Sequence, residues 1–210
     1  MTPPPAPRLL LNLRDGSPVL LRMFTPADRA AVQEAFRRLS LDSHYYRFWT
    51  QHRELPDSLL TRFLNPEPGL HETWAVLDPA LPDEPGQGGG SFWRLEKEPW
   101  RAEISFTVAD EVQHRGVGSM LLALLWVRAR EAGITQFFGV VLPDNYTVLD
   151  WFRALGARVT LQGGQYVFEL ELEEPKLKPT PTTERFKERL REVEAALAQT
   201  QDEKPQDLSF

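Results

Sequence analysis

Residues Glu111–Val127 read EVQHRGVGSMLLALLWV, with Gly116 and Gly118 one residue apart at the mouth of an apolar run. Missing side chains there let backbone N–H groups approach an anion, while a helix starting at the same place presents the positive end of its dipole. A pyrophosphate suits that chemistry, although glycines at these positions also serve an ordinary structural turn. QHRGVGSM lacks the lysine and following hydroxyl of a Walker A loop, and RGVGSM does not match the three-glycine dinucleotide fingerprint with its usual first strand. With no cysteine, the chain has no thiol nucleophile, disulfide or cysteine-rich zinc site, and its four histidines show no metal-ligand spacing. No metal is expected.

Several elements must position that turn. Val19–Met23 reads as a strand, and Pro26 with Asp28 opens a helix through RAAVQEAFRRL, in which Ala31, Ala35, Phe36 and Leu39 share a side. LDSHYYRFW reads either as a cover for a groove, through Tyr45, Tyr46, Phe48 and Trp49, or as a second amphipathic helix packing them into the core, and Leu55–Leu64 as a further short helix before the turn-forming NPEPG. TWAVLD is the next strand; PALPDEPGQGGG is a flexible surface loop before a strand at Ser91–Leu95. A strand at Glu103–Val108 runs into the glycine turn, and a helix follows from Val117 to about Glu131, ended by Gly133. ITQFFGVVL is a buried strand, Asp144 or Asn145 caps a helix reaching Ala154, and ARVTL and YVFELEL pair as antiparallel strands across Gly163–Gly164. The order predicts an α/β fold with a mixed central β-sheet flanked by helices.

Residues 1–13 are expected to be a flexible lead-in, 14–172 the folded domain, and 173–210 a proline-rich linker with an amphipathic C-terminal helix. In that helix Phe186, Leu190, Val193 and Leu197 recur at helical spacing, either folding back on the core or contacting a partner subunit, which leaves a homodimer open. The charged residues, 24 basic and 30 acidic, give a net charge of -6, which disfavours bulk nonspecific binding of nucleic acid. The apolar run Met120–Val127 falls far short of the roughly 20 residues that span a bilayer, so no membrane partner is expected. MTPPPAP has neither a basic leader nor an apolar signal region, and a soluble cytoplasmic protein is the default.

VQHRGVGSMLL resembles the acyl-CoA pyrophosphate motif of the GNAT N-acetyltransferases: glutamine or arginine, two residues, glycine, one residue, glycine or alanine. Gln113, Gly116 and Gly118 match it, and AEISFTVAD stands where that family has its central strand. The resemblance runs over about residues 14–172 and implies a GNAT-like fold and acetyl-CoA as acyl donor. It implies that the backbone of Val112, Gln113, His114, Arg115, Gly116, Val117, Gly118 and Ser119 holds the pyrophosphate. The side chains of His114 and Arg115 either tune that site or face solvent. Asn145 either bonds the CoA arm or only caps its helix. LRDGSPVLLR with FRRLSLDSHYYRFW is similar to the catalytic domain of bacterial protein lysine acetyltransferases, which implies a protein lysine as acceptor, with a small-molecule amine as the alternative.

A primary amine attacks a thioester only after losing a proton, so a base is needed near the acyl carbon. Glu103 matches the strand glutamate of those protein acetyltransferases, and the resemblance implies that it is the general base, ahead of Asp110 and Glu111. A backbone N–H near Val108 or Ala109 is expected to polarise the acyl carbonyl. Many family members carry a tyrosine acid seven residues after an asparagine; counted from Asn145 that position is Phe152, and Tyr146 is a poor replacement. The missing acid leaves a non-catalytic acyl-CoA sensor as the reading from another class. Trp49, Trp74, Trp93 and Trp151 are candidates to line the acceptor side, most of them structural.

Overall fold

A computed structural model describes residues 7–40, 54–81 and 85–202 of the chain. Its centre is an eight-stranded sheet, built from β1 (Arg8–Asn12), β2 (Pro18–Met23), β3 (His71–Leu77), β4 (Gly88–Arg94), β5 (Arg101–Val108), β6 (Gln136–Val141), β7 (Arg158–Gln162) and β8 (Gln165–Glu171). The spatial order is β1-β2-β3-β4-β5-β6-β8-β7. Every pairing is antiparallel except β5 with β6. The helices are α1 (Arg29–Arg38), α2 (Asp57–Leu64), α3 (Val117–Glu131), α4 (Tyr146–Leu155) and α5 (Pro181–Asp202). This is the mixed α/β architecture expected. The LDSHYYRFW segment, with Trp49, lies outside the described residues.

Helix α3 is the keel. Met120 through Trp126 are fully buried, so the helix packs on all sides rather than along one stripe. Its end is a Schellman turn: Gly133 adopts φ +79°, its N–H reaches the Arg130 carbonyl at 2.9 Å, and the Ile134 N–H reaches the Ala129 carbonyl at 2.9 Å. The main core joins α3, α4 and α5 to the sheet, whereas α1 and α2 form a smaller cluster with Phe24 and Trp93.

Two boundaries differ from the sequence expectations. Residues 8–12, placed in the flexible lead-in, form β1 against β2 and bury Leu9. Gly88–Gly90, placed in a surface loop, are the first half of β4, in register with Val108, Thr107 and Phe106. Their missing side chains admit α3: a Cβ on Gly90 would lie 3.3 Å from methyl groups of both Leu121 and Leu125. The C-terminal helix docks internally, burying Phe186, Leu190, Val193 and Leu197, with the Phe186 ring edge-on to Trp126. Its apolar stripe is spent on its own chain, which removes the reason for assigning that stripe to a partner subunit.

One buried ion pair fastens α3 to β3. The fully buried Glu72 carboxylate accepts from Arg128 Nε at 3.0 Å, Arg128 Nη2 at 2.8 Å and Trp74 Nε1 at 2.9 Å. Burial opposes the charge on Arg128, but its bonds to Glu72 and Glu131 outweigh this and raise its pKa. Periodicity does not reveal this pair, because Glu72 sits in a strand edge that reads as polar.

Candidate active site

Strands β5 and β6 are paired only from Arg101–Glu103 to Gln136–Phe138 and separate beyond. The closed end of this split is braced by Arg101 on Glu169 at 2.9 Å and by Gln136 on Glu171 at 2.6 Å. At the other end of β5 the Ala109 N–H donates to the Gln87 carbonyl, and before the strand's first turn the Leu95 N–H donates to the Arg101 carbonyl. Odd-numbered residues of β5 therefore spend their backbone groups on β4, and alternation turns those of Ile104, Phe106 and Val108 toward the split. An extended chain bearing amides could pair there as a strand would. The Ala109 N–H is already committed, so of the two candidates for polarising a carbonyl Val108 remains, joined by Phe106, which the sequence did not single out.

The glycine turn lies at the open end of the split. His114 and Gly116 both adopt positive φ, +61° and +98°. For a histidine that conformation is uncommon, and Gly116 takes it without steric cost as the residue before the first turn of α3. The N–H groups of Val117, Gly118 and Ser119 have no acceptor four residues back within the helix, so they face outward at its positive end. Val112 and Val117 are buried, so only their backbone can serve a ligand. The Arg115 guanidinium, on a half-buried side chain, binds Asp15 at 2.7 Å and the Ser17 hydroxyl at 2.7 Å in the β1–β2 turn. Those bonds hold the Asp15 carboxyl well below the usual carboxylate range. Arg115 is thus an anchor for the turn. Gln113 folds back, its Nε2 2.9 Å from Asp110 Oδ1, and Asp110 in turn accepts from the Ser40 N–H at 2.8 Å. Asp110 ties α1 to the turn.

Glu103 stands at the closed end of the split, directly across from Trp93 on β4. Its carboxylate is exposed and makes no hydrogen bond or ion pair with the described residues. It opens into a chamber shared with Arg62, Phe63, Trp93 and Ser105. Trp93 is fixed by three contacts: the His71 ring stacks on it at 4.5 Å, the Arg62 guanidinium sits 4.4 Å from its centre, and its indole N–H donates to Ser91 at 3.1 Å. Trp74, bonded to Glu72 and fully buried, is structural. Trp151 packs on Phe106 beside the split.

The remaining candidates are placed as follows. Asn145 caps α4, its Oδ1 accepting from the Val148 N–H at 3.3 Å. Phe152 is buried and stacked on Phe168 at 3.8 Å. Tyr146 is 67% exposed on the first turn of α4. The split and the helix start fit acyl-CoA: unpaired strand edges suit the pantetheine amides, and outward N–H groups suit the pyrophosphate.

The sequence family described as acetyltransferase (GNAT) domain matches residues 19–158. Acetyltransferase Pat of Mycolicibacterium smegmatis is 30% identical over 147 residues, 70% of this chain and 43% of that protein. Acetyltransferase PA5475 of Pseudomonas aeruginosa is 28% identical over 148 residues, 69% of this chain and 77% of that protein. The chain thus spans less than half the length of the Mycolicibacterium relative. Among solved structures, the GNAT domain of S. lividans PAT superposes with a TM-score of 0.72 at 26% identity, covering 78% of this chain and 96% of that one. The split sheet, the anion-accepting turn and these matches agree: the chain belongs to the GNAT acetyltransferase family, enzymes that draw their acyl group from acetyl-CoA.

Proposed function

We propose that this protein transfers an acetyl group from acetyl-CoA to a primary amine, a protein lysine, in the cytoplasm, with Glu103 as general base. The observation that carries the reading is the Glu103 carboxylate, without a partner among the described residues, at the closed end of the split and opening into the chamber beside Trp93. Support for a protein acceptor comes from the resemblance of LRDGSPVLLR and FRRLSLDSHYYRFW to the catalytic domain of bacterial protein lysine acetyltransferases.

When bound, the donor supplies a thioester-activated acyl carbon. The backbone of residues 112–119 holds its pyrophosphate, and the strand edge at Ile104, Phe106 and Val108 holds its arm extended. The N–H of Phe106 or Val108 stabilises the negative charge that develops on the acyl oxygen as the amine approaches. Glu103 takes the proton the amine must lose, directly or through one water. The C–N bond forms as the C–S bond breaks, and water protonates the departing sulfur because Phe152 cannot.

The test is Glu103→Gln, assayed with acetyl-CoA against bacterial proteins and a panel of small amines, and read by intact and peptide mass. Turnover should fall about 10²- to 10⁴-fold with CoA affinity preserved. Unchanged turnover eliminates Glu103 as the base. Modification confined to small amines moves the acceptor to that class, and CoA binding without turnover on either panel leaves the sensor reading.

A further inference from the structure

The face of the sheet that carries Glu103 has a second chamber. It has a volume of about 420 Å³ and lies between the sheet and α1, under Phe24, Ala31, Ala35 and Phe36, with Gly89 and Thr107 in its floor. Phe63 borders both chambers. Between them Ser91 and Ser105 form a low partition, their hydroxyl oxygens 3.1 Å apart.

The two chambers differ in chemistry. The Glu103 chamber is lined by charged side chains, among them Arg62, Glu96 and Glu98. The second is walled mainly by hydrocarbon. Its Asp28 is already matched by Arg22 through two bonds, at 2.8 and 2.6 Å, and accepts from the Thr25 N–H at 2.7 Å, so it offers no open carboxylate to an ammonium. An arriving amine therefore belongs in the first chamber.

Thr107 sits between Phe106 and Val108, whose backbone groups edge the split. An acyl carbonyl held by either N–H can turn its chain over β5 past Thr107 into the apolar chamber. An acetyl methyl would leave nearly all of that space empty. An apolar cavity of roughly 150 Å³ is enough to bind benzene, and this one is larger.

We propose that the apolar chamber under α1 is an acyl-chain pocket, and that the protein accepts straight-chain acyl-CoA donors of about four to six carbons at least as well as acetyl-CoA. The proposal rests on the acyltransferase reading above. Ala31 and Ala35, one turn apart on α1, set the depth of the pocket by their small size. Thr73 is a flaw in it: the residue is buried, 3% exposed, it lines the chamber, and its hydroxyl has no hydrogen-bond partner among the described residues. A chain packed there would press against an unsatisfied polar group.

Titration calorimetry of the full chain with CoA, acetyl-CoA, butyryl-CoA and hexanoyl-CoA separates this proposal from the reading beneath it. Each added methylene should tighten binding about fourfold, so butyryl-CoA should bind roughly fifteenfold tighter than acetyl-CoA. Ala35→Leu, which fills the pocket, should reverse the order of acetyl-CoA and butyryl-CoA. Thr73→Val, which removes the orphan hydroxyl and keeps the shape, should favour butyryl-CoA further. Free CoA that binds with no gain from the acyl chain overturns the pocket and leaves the acyltransferase reading standing. An Ala35→Leu protein with unaltered donor affinities but a raised KM for the amine assigns the chamber to the acceptor and also overturns the pocket. Failure of every CoA species to bind overturns both.

Discussion

Gly118 and Gly116 answer differently to the same substitution, and the difference tests the donor site. Gly118 lies inside the first turn of α3, and a Cβ there would meet nothing closer than 4.0 Å, between Trp151 and Val108. The folded protein has room for that methyl, and alanine is preferred over glycine in a helix by about 0.8–1.0 kcal/mol, less at an end position. Gly118→Ala should therefore raise stability by about 0.5 kcal/mol, a rise in Tm of roughly 1–2 °C for a chain of this size. The same methyl would project into the mouth of the split, where the donor arm passes on its way from the phosphate seat. CoA affinity should fall at least tenfold, about 1.4 kcal/mol. Gly116, at φ +98°, has the opposite balance: alanine there costs about 1–2 kcal/mol in the left-handed region, and its Cβ would crowd the Arg14 side chain at 3.3 Å. Thermal melts with calorimetric titration of CoA read both quantities. A Gly118→Ala protein that gains stability and binds CoA normally refutes the route between Trp151 and Val108.

Two further substitutions probe the frame. Glu72→Ala leaves Arg128 and the Trp74 N–H facing a buried gap and should cost about 3–5 kcal/mol in urea unfolding, whereas the double change Glu72→Leu, Arg128→Met should recover most of it; equal losses in both would show that the charge pairing is not what matters. Removing residues 175–210 strips Phe186, Leu190, Val193 and Leu197 from the core, at about 1.5–3 kcal/mol each, and should leave a chain that does not fold cooperatively. A truncated protein that stays folded and active would show that α5 is an accessory layer.

The elements most legible in the sequence were those whose pattern is local. The bounds of α3 could be read directly because Gly116 and Gly133 bracket the apolar run Met120–Val127, and of the two cap candidates for α4, Asp144 and Asn145, the structure selects Asn145. The candidate phosphate seat, residues 112–119, is likewise one continuous turn. Gly88–Gly90 misled because glycine normally marks a loop; here it marks the closest approach of a helix to a central strand, which only the packing of Leu121 and Leu125 explains. β1 was missed because a short edge strand carries little periodicity. The Arg115 side chain reads either as tuning the phosphate site or as facing solvent, and neither reading names its partner Asp15, a hundred residues away in sequence. The Glu72–Arg128 pair and the apolar chamber share that property: each is assembled from segments whose meeting is a consequence of the sheet order.

That order makes β5 a ruler. Its C-terminal end runs into the glycine turn, its edge from Ile104 to Val108 is left open by the departure of β6, and Glu103 marks the point where the two strands rejoin. From Val108 back to Glu103 the strand covers roughly 17 Å at about 3.4 Å per residue, so the length of an extended donor arm fixes where its thioester stops relative to the carboxylate. If the base works by that measure, its position along the strand matters as much as its face. Ser105 shares the face of Glu103 and borders the same chamber, but stands two residues, about 7 Å, nearer the phosphate seat. The exchange Glu103→Ser with Ser105→Glu keeps a carboxylate in the chamber but moves it about 7 Å along the strand toward Phe106 and Val108. It should bind CoA and remain as inactive as Glu103→Gln. Activity restored to near the original level would mean that the chamber needs only a negative charge, and the ruler would have to be abandoned.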